Sequence, residues 1–245
     1  MDTFQRALST KSAASEVQDR VTEAVIVLLG RLASFLEGND TRMLSVIDRL
    51  LLALHTPSEL VQDAVSECLP PLVKANRDKG SKIIEQLLRE TLHAKKYAER
   101  RGAAYGLAGA IKGRGVTAFK EFDIITRLSD AAEDKKDAEG REGAMFAFET
   151  MSAKLGRLFE PYIPKIIPLL LNCLGDSNPA VRQATSDAAR VIMSKVSGQG
   201  VKLILPSLLD ALEDRRKSQL LRPASTRLIH CLLWLDRMAH KERRD

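Results

Sequence analysis

A set of small residues returns along this chain every 38 to 41 residues, and that spacing limits the fold more than any other feature. The copies are Ala64, Cys68, Leu69 and Leu72, then Gly102, Gly106, Leu107 and Ala110, then Gly143, Ala147, Phe148 and Met151, then Ala184, Ala188, Ala189 and Ile192. Each set occupies one face of a helix, because residues four apart lie one above the other. A weaker copy at Ala24, Leu28, Leu29 and Leu32 lies 40 residues before the set that starts at Ala64.

Each small-residue helix is preceded by a segment with a Leu/Ile stripe, at 43–54, 81–92, 117–132, 159–174 and 202–212. Two helices in about 40 residues is the unit of HEAT and armadillo arrays, in which a helix pair buries its apolar face only against neighbouring pairs. Thr56-Pro57-Ser58-Glu59 reads as a capping box with proline at the first helical position, and Asn178-Pro179 repeats that start signal. Gly80, Gly115, Gly156 and Gly200 are expected between successive pairs, where a chain leaving a helix enters the left-handed region.

Composition agrees. With 4% aromatic and 44% apolar residues, rich in Leu and Ala, the chain has a pattern unusual for a β-sandwich or an α/β enzyme and favours an all-helical reading. Cys68, Cys173 and Cys231 stand far apart inside or beside apolar runs, without the paired spacing of a zinc or redox site. Residues 1–15 contain no apolar core of a secretory signal, and no run is long enough for a membrane span. A reducing cytoplasmic or nuclear setting is the expectation.

The net charge of +6 is a property of one end. Residues 215–245 hold nine Lys/Arg against three Asp/Glu, whereas residues 1–214 hold 29 of each sign. Outside that tail the densest cluster is Lys95, Lys96, Arg100, Arg101, Lys112 and Arg114, opposed in sequence only by Glu99. Lys95, Lys96, Arg100 and Arg101 crowd the start of a helix, where positive charge opposes the macrodipole. An unfavourable local choice of this kind suits a site whose compensation comes from a polyanion or an acidic partner. Arg100, Arg141 and Arg182 are repeat-equivalent, however, and fit equally a structural ladder that ties turn acids along the array. The aromatic interleaving of a base-reading surface is missing from this cluster.

Catalytic signals are weak. The sequence contains no GxxxxGK[ST], HExxH or GxSxG run and no calcium loop. Gly106, Gly109, Gly113 and Gly115 ride on a helix and its end with no preceding strand, so they read as packing glycines. His55 and His93, 38 residues apart, fall at equivalent helix ends, where an imidazolium complements the dipole. The run from Glu133 to Glu139 is a mixed-sign turn that suits solvent. A non-enzyme without cofactor or metal is expected.

The stretch Lys96-Tyr97-Ala98-Glu99-Arg100-Arg101-Gly102-Ala103-Ala104-Tyr105-Gly106-Leu107-Ala108-Gly109 strongly resembles the central region of a family of giant eukaryotic translational activators of the general amino-acid control kinase. Phe122-Asp123-Ile124, Glu133-Asp134-Lys135-Lys136, Arg141-Glu142-Gly143-Ala144, Gly156-Arg157-Leu158-Phe159-Glu160-Pro161-Tyr162, Gly175-Asp176-Ser177-Asn178 and Gly200-Val201-Lys202-Leu203 follow in the family's order. That region is similar to the HEAT region of fungal translation elongation factor three. The resemblance implies a scaffold on translating ribosomes, working with an ABC-family translation protein. It also implies activation of the kinase that phosphorylates initiation factor two alpha, through regions outside this chain. The likeness covers about residues 20 to 214. After Asp214 the register breaks, and Pro223 falls where the next helix would run.

The expectation is therefore an all-α, HEAT/ARM-type right-handed α-solenoid of about five helix-pair repeats. Residues 1–15 are expected to be disordered, 16–214 to form the array and 215–245 to be a degenerate basic tail. The six cations from Lys95 to Arg114 form the candidate ribosome or partner contact, and a generic protein-binding solenoid is the competing reading.

Overall fold

The computed structural model describes residues 2–37 and 40–213. The basic segment 215–245, with Cys231 and Pro223, lies outside the described residues. The elements in order are α1 Asp2–Ala33, α2 Thr41–Ala53, α3 Glu59–Ala75, α4 Arg77–His93, α5 Tyr97–Arg114, α6 Ala118–Glu121, α7 Ile124–Glu133, α8 Ala138–Leu155, α9 Ile163–Leu174, α10 Pro179–Lys195 and α11 Gly198–Glu213. Two short 3-10 turns, Gly156–Leu158 and Glu160–Tyr162, precede α9. The pairs α2/α3, α4/α5, α6–α7/α8 and α9/α10 reproduce the repeat read from the sequence, and the chain is all-α helix-pair architecture of the HEAT class among the described residues.

The chain divides into two compact units. The first holds residues to Glu90 together with Lys95–Ala118, and the second holds Thr91–Ala94 and the residues from Phe119 onward. In the first unit the small-residue helices stack, α1 on α3 and α3 on α5. In the second, α8 stacks on α10, while α9 packs against both α7 and α11.

The stacking works because backbones touch. A Cβ built on Gly109 of α5 would run into the Ser66 carbonyl of α3, and one on Gly113 into the Pro70 carbonyl. Gly106 admits the Leu54 and Leu87 side chains from α2's end and α4. Buried Gln62 shares its Nε2 among the carbonyls of Leu54, Thr56 and Ala98 at 3.2, 2.8 and 3.1 Å, tying the α2–α3 turn to the start of α5. The glycines of α5 are thus helix-packing residues.

In the second unit a buried ion pair closes the α9–α10 turn. The Arg141 guanidinium on α8 donates to both oxygens of Asp176 at 2.7 and 3.1 Å and to the Asp134 carbonyl at 2.6 Å. Its repeat-equivalent Arg182 donates to the carbonyls of Asp176 and Ser177 at 2.6 and 2.9 Å. Burial alone would raise the Asp176 carboxyl. Hydrogen bonds from Arg141 and the Asn178 amide, with the charges of Arg141 and Arg182, more than offset this and hold it below its ordinary 3.8.

Several local expectations change. Of those four glycines Gly115 and Gly156 take positive φ, at 96° and 53°, whereas Gly80 and Gly200 lie inside the first turns of α4 and α11, where they allow close approach to Val73 and Glu160. The capping box at Thr56 does not form. α3 starts at Glu59 with Ser58 as N-cap and no side-chain cap bond, whereas Asn178 caps α10 through the Ala180 amide as expected. On α1 the packing face is Ile26, Gly30 and Ala33 rather than Ala24, Leu28 and Leu32, because Gly30 is where Cys68 of α3 presses in. Val17, Val21, Val25, Leu28 and Leu32 form an exposed apolar stripe on the same helix. α1 runs from Asp2 to Ala33.

Two outcomes follow from this packing. Gly109→Ala lowers unfolding free energy by about 1–3 kcal/mol through overpacking, against the gain of about 1 kcal/mol that Ala brings to an open helix. Gly198→Ala, whose Cβ meets nothing within 4 Å, serves as the neutral control in the same thermal denaturation series. Asp176→Ala leaves the Arg141 charge buried and costs about 3–5 kcal/mol at neutral pH. Because the Asp176 carboxyl is held low, its contribution is complete above the unfolded carboxylate range and lost as pH falls through the lowered folded value. Melting curves from pH 7 to 3 show a smaller acid-induced drop in Asp176→Asn than in the parent.

Candidate functional site

The basic cluster read from the sequence maps to the turn before α5 and to that helix, all in the first unit. Lys96 is the N-cap in extended conformation and makes no side-chain cap bond, so the α5 N-terminus keeps its positive end. Lys95 is exposed and forms no ion pair among the described residues. Lys96, also exposed, reaches Glu99 at 2.9 Å. This hydrogen bond raises the Lys96 ammonium and lowers the Glu99 carboxyl, each through its partner's side chain first and its charge next.

Arg100 behaves differently. It is 5% exposed, and its guanidinium turns back to donate to the Lys95 carbonyl at 2.8 Å. With Arg141 and Arg182 this makes three equivalent arginines that each grip a carbonyl of the turn before their own helix, whereas the expected pairing with a turn acid is made by Arg141 with Asp176. Arg100 therefore holds the turn that displays Lys95 and Lys96 and does not itself line the surface.

Arg101, Lys112 and Arg114 lie further along α5. Arg101 pairs with Glu59 of α3 at 2.9 Å and sits 5.9 Å over the Tyr105 ring, while the Tyr105 hydroxyl donates to the same Glu59 at 2.6 Å. Arg101 also donates to the Tyr97 hydroxyl at 3.3 Å. Lys112 pairs with Glu67 at 3.3 Å, and Arg114 donates to the Arg77 carbonyl at 3.2 Å. The cluster opposed in sequence by one acid is thus met in space by Glu59 and Glu67 as well. These acids stand 42 and 45 residues before their partners, close to one repeat. Comparing charges one period apart finds them; comparing neighbours does not.

In the second unit a cavity of about 570 Å³ is lined by Arg141, Asp176, Cys173, Glu133 and Lys135 among others. Its two most buried charges, Arg141 and Asp176, are already paired with each other. Burial pushes the Cys173 thiol up to about 11, with the Asp176 charge adding to it, and the thiol donates to the Ala132 carbonyl at 3.6 Å. A thiol so protonated is a poor nucleophile at neutral pH. Among the described residues no group of three His, Cys, Asp or Glu is arranged to hold a metal ion.

Residues 100–230 match the family described as EF3 N-terminal HEAT repeat. The stalled ribosome sensor GCN1 of Homo sapiens is 48% identical over 196 residues, covering 80% of this chain and 7% of that protein. The eIF-2-alpha kinase activator GCN1 of Saccharomyces cerevisiae is 42% identical over 215 residues, covering 86% of this chain and 8% of that protein. Elongation factor 3 of Gonapodya prolifera is 29% identical over 122 residues, covering 49% of this chain and 11% of that protein. The chain spans less than a tenth of the length of the GCN1 relatives it matches. Period, helix pairing and the residues of α5 converge with these likenesses: the chain belongs to the EF3 N-terminal HEAT repeat family, in which it is similar to the GCN1 proteins.

Proposed function

We propose that this chain is a non-catalytic, cytoplasmic scaffold segment that sits on translating ribosomes as part of a translational activator. That activator promotes activation of the initiation factor two alpha kinase on amino-acid starvation. The ribosome and an ABC-family translation protein are its partners, and the kinase is engaged through regions outside this chain. The observation that carries the reading is the uncapped, lysine-bearing start of α5, in a chain 48% identical to a protein named as a stalled ribosome sensor.

The surface works by geometry that needs no reaction. Lys95 and Lys96 stand exposed at a helix N-terminus whose amides and dipole already favour an anion. Arg100 braces the turn from inside. Arg101 and Lys112 lie along one edge of the same helix, each paired with an acid of α3, an edge that meets a partner through mixed-sign contacts. A phosphate backbone is the ligand this arrangement fits, since it exchanges condensed counterions for two exposed ammonium groups, one of which it takes over from Glu99.

Co-sedimentation of the chain with purified ribosomes across a salt series tests this. Binding weakens with salt, and Lys95→Ala/Lys96→Ala lowers the slope of log affinity against log salt by about 1.4 to 1.8, as expected for two lost phosphate contacts. Arg100→Ala instead lowers thermal stability. Binding indifferent to salt and to the two lysines returns the chain to a protein-binding HEAT adaptor without ribosome contact.

A further inference from the structure

Aromatic side chains are scarce here, eleven in 245 residues, yet three of them meet at one point of the second unit. Phe119 on α6 and Phe159 between the 3-10 turns are 3% and 0% exposed. Tyr162, at the end of the second 3-10 turn, packs on Phe119 with ring centroids 4.5 Å apart and lies 6.1 Å from Phe159. Phe119 and Phe159 stand 5.9 Å apart and complete the cluster. Tyr162 is half-buried, so two buried rings stiffen a third that still reaches solvent.

That ring lines a cleft of about 280 Å³ with Lys120, Lys165, Thr126 and Ser129. Lys120 and Lys165 are exposed, and among the described residues neither forms an ion pair. Ser129 donates its hydroxyl to the Ile125 carbonyl at 2.7 Å, which leaves its oxygen lone pairs as acceptors. Asp123, in the left-handed region at φ 49°, interrupts the helix between Lys120 and Thr126, so short α6 and the start of α7 present different faces to this cleft.

The chemistry of the cleft selects its ligand. A buttressed aromatic ring accepts any base by stacking, flanking ammonium groups take the phosphates, and hydroxyls serve the base edge or the ribose. A peptide carboxylate would satisfy the lysines but leave the ring unused. The volume falls just under the roughly 300–1,000 Å³ of small-molecule pockets and suits one flat group at a time. We propose that the cleft formed by Tyr162, Phe119, Lys120 and Lys165 holds an unpaired nucleotide of single-stranded RNA, its base stacked on Tyr162 and its flanking phosphates on the two lysines. The inference rests on the ribosome reading for the source of that RNA, and it uses residues wholly separate from Lys95 and Lys96.

The test is fluorescence anisotropy of a labelled single-stranded RNA decamer with the full chain, at several salt concentrations, beside circular dichroism melting of each variant. Tyr162→Leu, which keeps apolar packing against Phe119, weakens binding about tenfold, within the range of one lost base–aromatic stack. Tyr162→Phe retains the ring and retains affinity. Lys120→Ala/Lys165→Ala reduces the salt slope by about 1.4, the value for two phosphate contacts to a single strand. Absence of RNA binding, equal binding by Tyr162→Leu, or displacement of the RNA by poly-glutamate as readily as by unlabelled RNA each overturns the proposal. Ribosome pelleting lost only in Lys95→Ala/Lys96→Ala is a separate result, so failure of one reading is distinguishable from failure of the other.

Discussion

The contact on which the first unit depends is the backbone-to-backbone approach of α5 to α3, where Gly109 and Gly113 meet the carbonyls of Ser66 and Pro70. A helix pair of this length has too little interior of its own, so its stability comes from the neighbouring pair. Glycine weakens a helix by about 1 kcal/mol relative to alanine, and α5 carries four between Gly102 and Gly113. That cost is offset only if every one of them brings another segment closer, and each of the four does. These glycines are what let leucines and carbonyls of neighbouring helices interlock.

Packing this close leaves turns with buried carbonyls, and their satisfaction decides where charge goes. Arg100, Arg141 and Arg182 each direct a guanidinium into the turn before their own helix. Arg141 adds a two-bond grip on Asp176, which makes the α9–α10 turn part of the second unit's core. The planar fork of arginine suits several fixed acceptors at once. Cysteine does a smaller version of the same task, as Cys68 and Cys173 direct their thiols to the carbonyls of Ile26 and Ala132.

Much of this fold was legible in advance. The period of about 40, the pairing of a Leu/Ile helix with a small-residue helix, and the buried faces of α3, α5, α8 and α10 all follow from spacing alone. What escaped were features set by neighbours. The α1 face is rotated toward Gly30 because Cys68 presses there, which no periodicity within α1 encodes. Thr56 fails as a cap because α3 starts at Glu59, whose carboxylate serves Arg101 and Tyr105 across the repeat. The candidate site was half legible: the cations were found, but their acids stand about one period away, and the aromatic cluster joins Phe119 to residues 40 and 43 positions later. Both need comparison across repeats rather than along a window.

The difference between lysine and arginine then separates structure from recognition. Counting charge treats Lys95, Lys96, Arg100 and Arg101 as four equal contributors to an anion site. In space the two arginines are engaged by the fold, one with a carbonyl and one with Glu59, while Lys95 and Lys96 stay exposed at the turn. Lys120 and Lys165 repeat that pattern beside Tyr162. A strongly hydrated ammonium on a flexible stem loses little by remaining in water until a phosphate arrives, whereas a guanidinium gains most from fixed acceptors. At the start of α5 the charge left exposed once the turn is satisfied is that of Lys95 and Lys96, the second of them shared with Glu99.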